Sequence, residues 1–183
     1  IDVDDAVYST ANWTVGNGII SYWSLFSNSC QNQIIGCLDS LAFNYNPLAT
    51  INFCDYGMTY VPDDNFEQKL IDLGIDTDAI LNDSVATGNI MFLTSLSVYS
   101  SSIADLTGIE DFTALQTLYS YSNQLSSLDV SSNLALTNLY CNNNQLTSLD
   151  VSSNLALNRL QCQYNQLTSL DIRNGNNTNM YTN

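Results

Sequence analysis

The chain has 183 residues, with 18 acidic side chains against three basic ones (Lys69, Arg159 and Arg173), no histidine, and a net charge of −15. With no basic patch to neutralise phosphates, this balance argues against nucleic acid and anionic lipid as partners. Ser–His and Cys–His nucleophile pairs are excluded, and no apolar run is long enough to span a bilayer.

Residues 1–33 open with IDVDDAVYSTANW from Ile1 and end near FSNSC, which closes at Cys30. This segment resembles the closing segment that follows leucine-rich arrays in internalin-type bacterial surface proteins. The resemblance implies a C-terminal cap belonging to a preceding array. In that family a cysteine just ahead of the Ile-x-Val-Asp-Asp run pairs with the terminal one, so the partner of Cys30 stays open.

Residues 34–59 hold Cys37 and Cys54 around a turn-rich stretch with Asn44, Asn46 and Pro47. The Gly-Cys start and Cys-x-Tyr end resemble a short disulfide-closed module of secreted bacterial multidomain proteins. The resemblance implies a Cys37–Cys54 bond, an oxidising compartment and an extracellular or cell-surface location. The module's acidic pair and glycine are replaced here by Ile51-Asn-Phe. Asp39, Asn44, Asn46 and Asp55 offer oxygens for calcium, but the same residues suit Asx turns, and the turn reading is taken, with no cofactor.

Residues 60–92 read as an N-terminal cap. Pro62 with Asp63 and Asp64 marks a helix start; Phe66, Leu70, Ile71 and Leu73 fall at helical spacing, and Gly74 is the stop. Such a helix covers the exposed first coil of a solenoid. The run DTDAILND from Asp76 resembles an EF-hand-like loop that follows this helix in related repeats. It lacks that loop's glycine and final glutamate, and is read as a plain loop.

Residues 93–177 carry the strongest signal. Three near-copies begin at Leu115, Leu136 and Leu157, a constant step of 21 residues, after a looser 22-residue unit from Leu93 with Val98 and Ser101 at the variable positions. Each copy reads Leu-x-x-Leu-x-[Cys/Ser]-x-x-Asn-Gln-Leu-x-x-Leu-Asp-[Val/Ile]. The pattern resembles the short leucine-rich repeat, and the first unit is similar to internalin repeats. The expected fold is mainly β with one capping helix: a leucine-rich repeat solenoid with a parallel sheet, preceded by the small disulfide module.

Within each unit Leu118 and Ser120, Leu139 and Cys141, and Leu160 and Cys162 alternate with polar neighbours, as one buried strand face requires. Leu125, Leu128, Val130 and Leu134 are expected to fill the same core from the back. Cys141 and Cys162 are read as buried free thiols rather than a disulfide. Asn123, Asn144 and Asn165 sit where the strand leaves the sheet and are read as partners for turn amides. Asp129, Asp150 and Asp171 repeat one coil apart; a cation there is one option, and capping of the following turn is the option taken. Residues 178–183 look like the start of a C-terminal cap, so the chain is expected to be an internal stretch of a tandemly built protein.

Outward sheet positions give a grid in which Tyr99, Tyr119, Tyr121, Tyr140, Asn142, Arg159, Gln161 and Gln163 form an aromatic and amide surface. That mix suits protein or glycan contact on a concave face. The expected function is non-enzymatic adhesion. The alternatives are a structural unit of a fibre or stalk whose copies join head to tail, and a targeting appendage on a secreted enzyme.

Overall fold

The computed structural model describes residues 34–52, 54–175 and 181–182. The segment read as a preceding array's cap, with Cys30, lies outside the described residues. The described chain forms two compact units: residues 34–40 with 44–54, and residues 41–43 with 55 onward.

The smaller unit is tied at its base by strands β1 (Ile35–Gly36) and β2 (Ile51–Asn52), which pair in parallel. Cys37 and Cys54 are joined by a disulfide across 17 residues, with Cα atoms 4.5 Å apart. A Cβ on Gly36 would lie 2.7 Å from the Asn46 Cβ, so only glycine lets these two segments cross here.

In the larger unit, β3 (Met58–Tyr60) pairs antiparallel with β4 (Ser84–Ala86), flanking helix α1 (Asp64–Asp72). Phe66 and Leu70 on α1 are fully buried. Leu73, expected on that apolar face, is 43% exposed, because it is the C-cap residue and Gly74 turns the chain left-handed directly after it.

A second, one-turn helix α2 (Thr87–Ile90) follows β4, where the sequence led to one helix only. Gly108, at φ +103°, brings the first coil against the cap: a Cβ there would stand 2.7 Å from the Tyr60 carbonyl oxygen and 3.0 Å from Val61 Cγ2. Gly108→Ala is therefore expected to cost about 3 kcal/mol, summing left-handed strain and overpacking, measured as a lower urea midpoint.

The repeats stack as a parallel sheet in the order β11-β9-β7-β6-β5, from β5 (Ser95–Ser97), β6 (Thr117–Tyr119), β7 (Asn138–Tyr140), β9 (Arg159–Gln161) and β11 (Tyr181–Thr182). On the back, β8 (Ser148–Asp150) and β10 (Ser169–Asp171) form a second parallel pair that the turn-rich sequence did not announce. Leu96, Leu118, Leu139 and Leu160 align in one inward row, all at most 1% exposed. Leu125, Leu146, Leu128, Leu149, Val130 and Val151 close the core from behind.

Leu134 does not join them: it is 63% exposed, and Leu155 one coil later is 68% exposed. The inward place on that turn belongs to the preceding residue. Asn133 and Asn154 are fully buried and Asn174 is 2% exposed. Asn133 Nδ2 donates to the Ile109 and Phe112 carbonyls, Asn154 Nδ2 to those of Val130 and Asn133, and Asn174 Nδ2 to that of Asn154. The Ile109, Phe112, Val130 and Asn133 carbonyls each accept one backbone amide within their own turn, and the buried asparagine amide of the next coil gives each a second donor, which leucine cannot.

The Asn123–Asn144–Asn165 row does the same at the front corner. Asn144 Nδ2 donates to the Ser120 and Cys141 carbonyls at 3.0 Å each, while its Oδ1 accepts the Leu125 amide at 3.1 Å.

The residue before each front asparagine is left-handed: Ser122, Asn143 and Tyr164 have φ of 57°, 54° and 57°. Asparagine adopts that region at lower cost than tyrosine. Tyr164 is 77% exposed, so it has little packing to lose. Tyr164→Asn is expected to stabilise by about 1 kcal/mol, read as a raised thermal midpoint.

Candidate functional site

Alternation on the strands decides what the exposed sheet face carries. With Leu96, Leu118, Leu139 and Leu160 inward, their neighbours face out in aligned rows: Ser95, Thr117, Asn138 and Arg159, then Ser97, Tyr119, Tyr140 and Gln161. The ladder continues past the named strands, since Ser100 N donates to the Tyr121 carbonyl, Ser122 N to that of Asn142 and Asn143 N to that of Gln163. This makes Tyr99, Tyr121, Asn142 and Gln163 a third row.

Tyr99 and Tyr121 stack with ring centroids 4.8 Å apart and planes 2° from parallel, and Tyr119 and Tyr140 stack at 4.8 Å and 9°. Strand spacing sets that distance, because identical rings one coil apart in register lie almost one strand step apart. Arg159 Nη1 donates to the Tyr140 hydroxyl at 3.2 Å, and Asn138 Nδ2 to Thr117 Oγ1 at 3.2 Å. The structure thus joins the four tyrosines into two neighbouring stacks and places Arg159 against one of them. None of these twelve outward positions holds an acidic residue, although the chain has 18.

The acidic row lies elsewhere, at the ends of the back strands. Asp129, Asp150 and Asp171 each accept the backbone N–H two residues on, from Ser131, Ser152 and Arg173, as a turn cap does. The bonds from Ser131 lower the Asp129 pKa. The Arg173 guanidinium, bound to both Asp171 oxygens, holds that carboxylate at about 2.

Of the oxygens weighed for calcium in the disulfide module, Asn46 Oδ1 accepts the Leu48 amide and Asp55 Oδ1 the Gly57 amide. Asp39, Asn44 and Asn46 belong to the smaller unit and Asp55 to the larger. Among the described residues, one set of three carboxylates gathers closely: Asp64, Glu67 and Asp83. Both Glu67 oxygens are already engaged, by the backbone amides of Asn82, Ser84 and Asp83 at 2.9, 3.1 and 3.2 Å.

Cys141 is buried and Cys162 half-buried one coil later at the same inward position, both as free thiols. Burial raises both pKa values, more strongly for Cys141, to which the neighbouring Cys162 adds. Alkylation by iodoacetamide is expected to reach Cys162 slowly and Cys141 only on unfolding, checked by mass mapping of native and urea-treated protein.

No protein-family model matches the chain. It is 40% identical over 74 residues to Internalin J of Listeria monocytogenes serotype 4b, a stretch of 40% of this chain and 8% of that protein. The functional domain of Listeria InlJ, whose structure includes a cysteine ladder, superposes with a TM-score of 0.60 at 35% identity, over 69% of this chain and 28% of that one.

The chain is an internalin-like leucine-rich repeat protein. Listeria InlF gives a TM-score of 0.56 at 27% identity over 68% of this chain and 36% of that one. Internalin C2, at 17% identity and 0.52 over 67% of this chain and 64% of that one, shares the fold. The internalin-like chain thus spans under a third of the solved InlJ domain and a small fraction of full Internalin J.

Several key residues escaped the sequence reading. Asn133 and Asn154 recur in the phrase Val-Ser-Ser-Asn-Leu at the same 21-residue step as the leucines, and that recurrence was the available signal. Glu67 and the second oxygen of Asp63 gave none, since their partners lie 15 to 42 residues away.

Proposed function

We propose that the array is a non-catalytic recognition module of a secreted or cell-surface protein, and that it adheres to a protein or glycan through the exposed sheet face. The observation that carries this reading is the pair of parallel tyrosine stacks standing side by side on a face without carboxylates. Rigid aromatics amid Asn, Gln, Ser and Thr supply contact area at little conformational cost and adaptable hydrogen bonds around it. Tyr99, Tyr119, Tyr121, Tyr140, Asn142, Arg159, Gln161 and Gln163 are the contact residues. Similarity to internalins supports a surface protein of this kind.

The test pairs binding with folding. Tyr119→Ala with Tyr140→Ala, in purified protein, is expected to reduce binding to glycan arrays and cultured-cell surfaces by about tenfold or more, an aromatic hot-spot loss. The circular dichroism spectrum should stay unchanged. Undiminished binding by the folded double variant would remove the sheet face from the function. A second reading, a spacer in a fibre of head-to-tail copies, is favoured by the same stacks acting only as cross-strand packing. It predicts no binding by either form and filaments visible by electron microscopy.

A further inference from the structure

The inward row beside the leucines reads Val98, Ser120, Cys141 and Cys162. Register sets its members one coil apart: Ser120 N donates to the Tyr140 carbonyl and Cys141 N to that of Gln161, as successive rungs of a parallel ladder. Val98, Ser120 and Cys141 are fully buried, and Cys162 is half-buried at the end of the row. Cys141 lies within the apolar core of the array, and Cys162 packs against its edge. Both thiols are free, although the same chain closes Cys37 onto Cys54.

Spacing accounts for the difference and fixes what the pair can hold. Parallel strands stand about 4.8 Å apart, so side chains in register keep their Cβ atoms about that far apart. A disulfide draws its Cβ atoms to about 3.8 Å and its sulfurs to about 2.0 Å, closer than neighbouring coils bring them. An ion set midway between two thiolates, at a bond length of about 2.3 Å as for zinc and sulfur, separates the sulfurs by about 4.6 Å. That span matches the step between coils.

The donor set selects the ion. Thiolates favour soft cations such as copper(I) and zinc. Zinc takes four ligands, and this row supplies two: the chain has no histidine, and the neighbouring Ser120 hydroxyl is bonded to the Tyr140 carbonyl at 3.3 Å. Copper(I), an ion with a filled d shell, is satisfied by two collinear thiolates. We infer that Cys141 and Cys162 bind one copper(I) ion as a linear bridge between their sulfurs. Each thiol gives its proton to solvent, and the single negative charge left on the bridge is spread over both sulfurs. The half-buried side of Cys162 is the way in. The bridge pins the coils of Cys141 and Cys162 together beneath the sheet and does not depend on what the sheet face binds.

The experiment is anaerobic titration of the whole chain carrying Cys30→Ser, which removes the thiol outside the described residues. Copper(I) is supplied as its acetonitrile complex against bicinchoninate as competing chelator, without thiol reductant, so that the Cys37–Cys54 bond stays closed. One ion per chain, a higher thermal midpoint and loss of the slow iodoacetamide reaction at Cys162 are expected, while zinc at the same concentration leaves that reaction unchanged. Adding Cys141→Ser or Cys162→Ser should weaken copper(I) binding by roughly a hundredfold or more, since each leaves a single thiolate. Serine already fills the same inward place at Ser120, so Cys141→Ser has a precedent in this fold, and Cys162→Ser changes a half-buried position. Copper(I) binding undiminished in both serine variants would overturn the bridge, and so would uptake only after unfolding in urea. Binding retained by Cys141→Ser alone would reduce the site to the Cys162 thiol and overturn it as well. Equal protection of Cys162 by zinc would point to a fuller ligand set and refute the two-thiolate assignment.

Discussion

Glu67→Ala is expected to lower stability by about 4 kcal/mol, the largest loss from any single change in the cap. Glu67 is fully buried on α1, and its carboxylate accepts the amides of Asn82, Asp83 and Ser84, the turn that leads into β4. Alanine removes all three acceptors at once, and water cannot reach a fully buried site to replace them. Each partly buried amide left unpaired costs about 1–3 kcal/mol. Glu67→Gln keeps one carbonyl but turns an NH2 group toward amide donors, so its loss should be roughly half as large.

Equilibrium urea denaturation followed by far-ultraviolet circular dichroism ranks the three proteins, and an alanine loss under 1 kcal/mol would refute the assignment. Asp63 offers a comparison. Its Oδ1 caps α1 through Asn65 and Phe66, while its Oδ2 accepts the amides of Ala104 and Asp105 in the first coil. Those amides are exposed, so water compensates part of the loss when Asp63 is removed. Four bonds at an accessible site therefore count for less than three at a buried one.

These two carboxylates show where sequence reasoning stops. The helix that carries Glu67 was legible, because Asp63, Phe66, Leu70 and Gly74 mark its start, face and end within one short window. The repeat period was legible for the same reason: Leu118, Leu139 and Leu160 recur at a fixed step, and stacking turns that step into spatial contact. What Glu67 binds was not legible, since glutamate in a helix reads as solvent-facing until the turn at 82–84 folds over it.

Leu134 failed for the opposite reason. Its hydrophobicity argued for burial, but the inward place on that turn belongs to Asn133, whose side-chain amide ties the turn to the Ile109 and Phe112 carbonyls of the coil before. The tyrosines fall between these cases. Their alignment followed from the period, while the partition into two stacks needed the register of Ser97 with Tyr119 and of Tyr119 with Tyr140.

Asn144→Ala is expected to cost about 3 kcal/mol and to make unfolding less cooperative. Asn144 is 8% exposed and links two successive coils: its Nδ2 donates to Ser120 of the coil before and to Cys141 of its own, and its Oδ1 accepts from Leu125 of the coil before. Alanine leaves the buried Leu125 amide unpaired and takes one of two side-chain donors from each carbonyl, since Asn123 Nδ2 still reaches Ser120 and Asn165 Nδ2 still reaches Cys141. In a solenoid each coil is held mainly by its neighbours, so a lesion in the middle weakens the coupling between the units on either side. The denaturation slope should fall along with the midpoint, because the halves then unfold over different ranges of urea. Asn165→Ala removes equivalent bonds, to Cys141, Cys162 and Leu146, at a half-buried position one coil later. Its cost should be smaller and its slope nearly unchanged, since water reaches the exposed groups and fewer described coils lie beyond it. Equal costs at both sites would mean that the asparagines act as local turn residues, and that coupling between coils rests on the leucine rows alone.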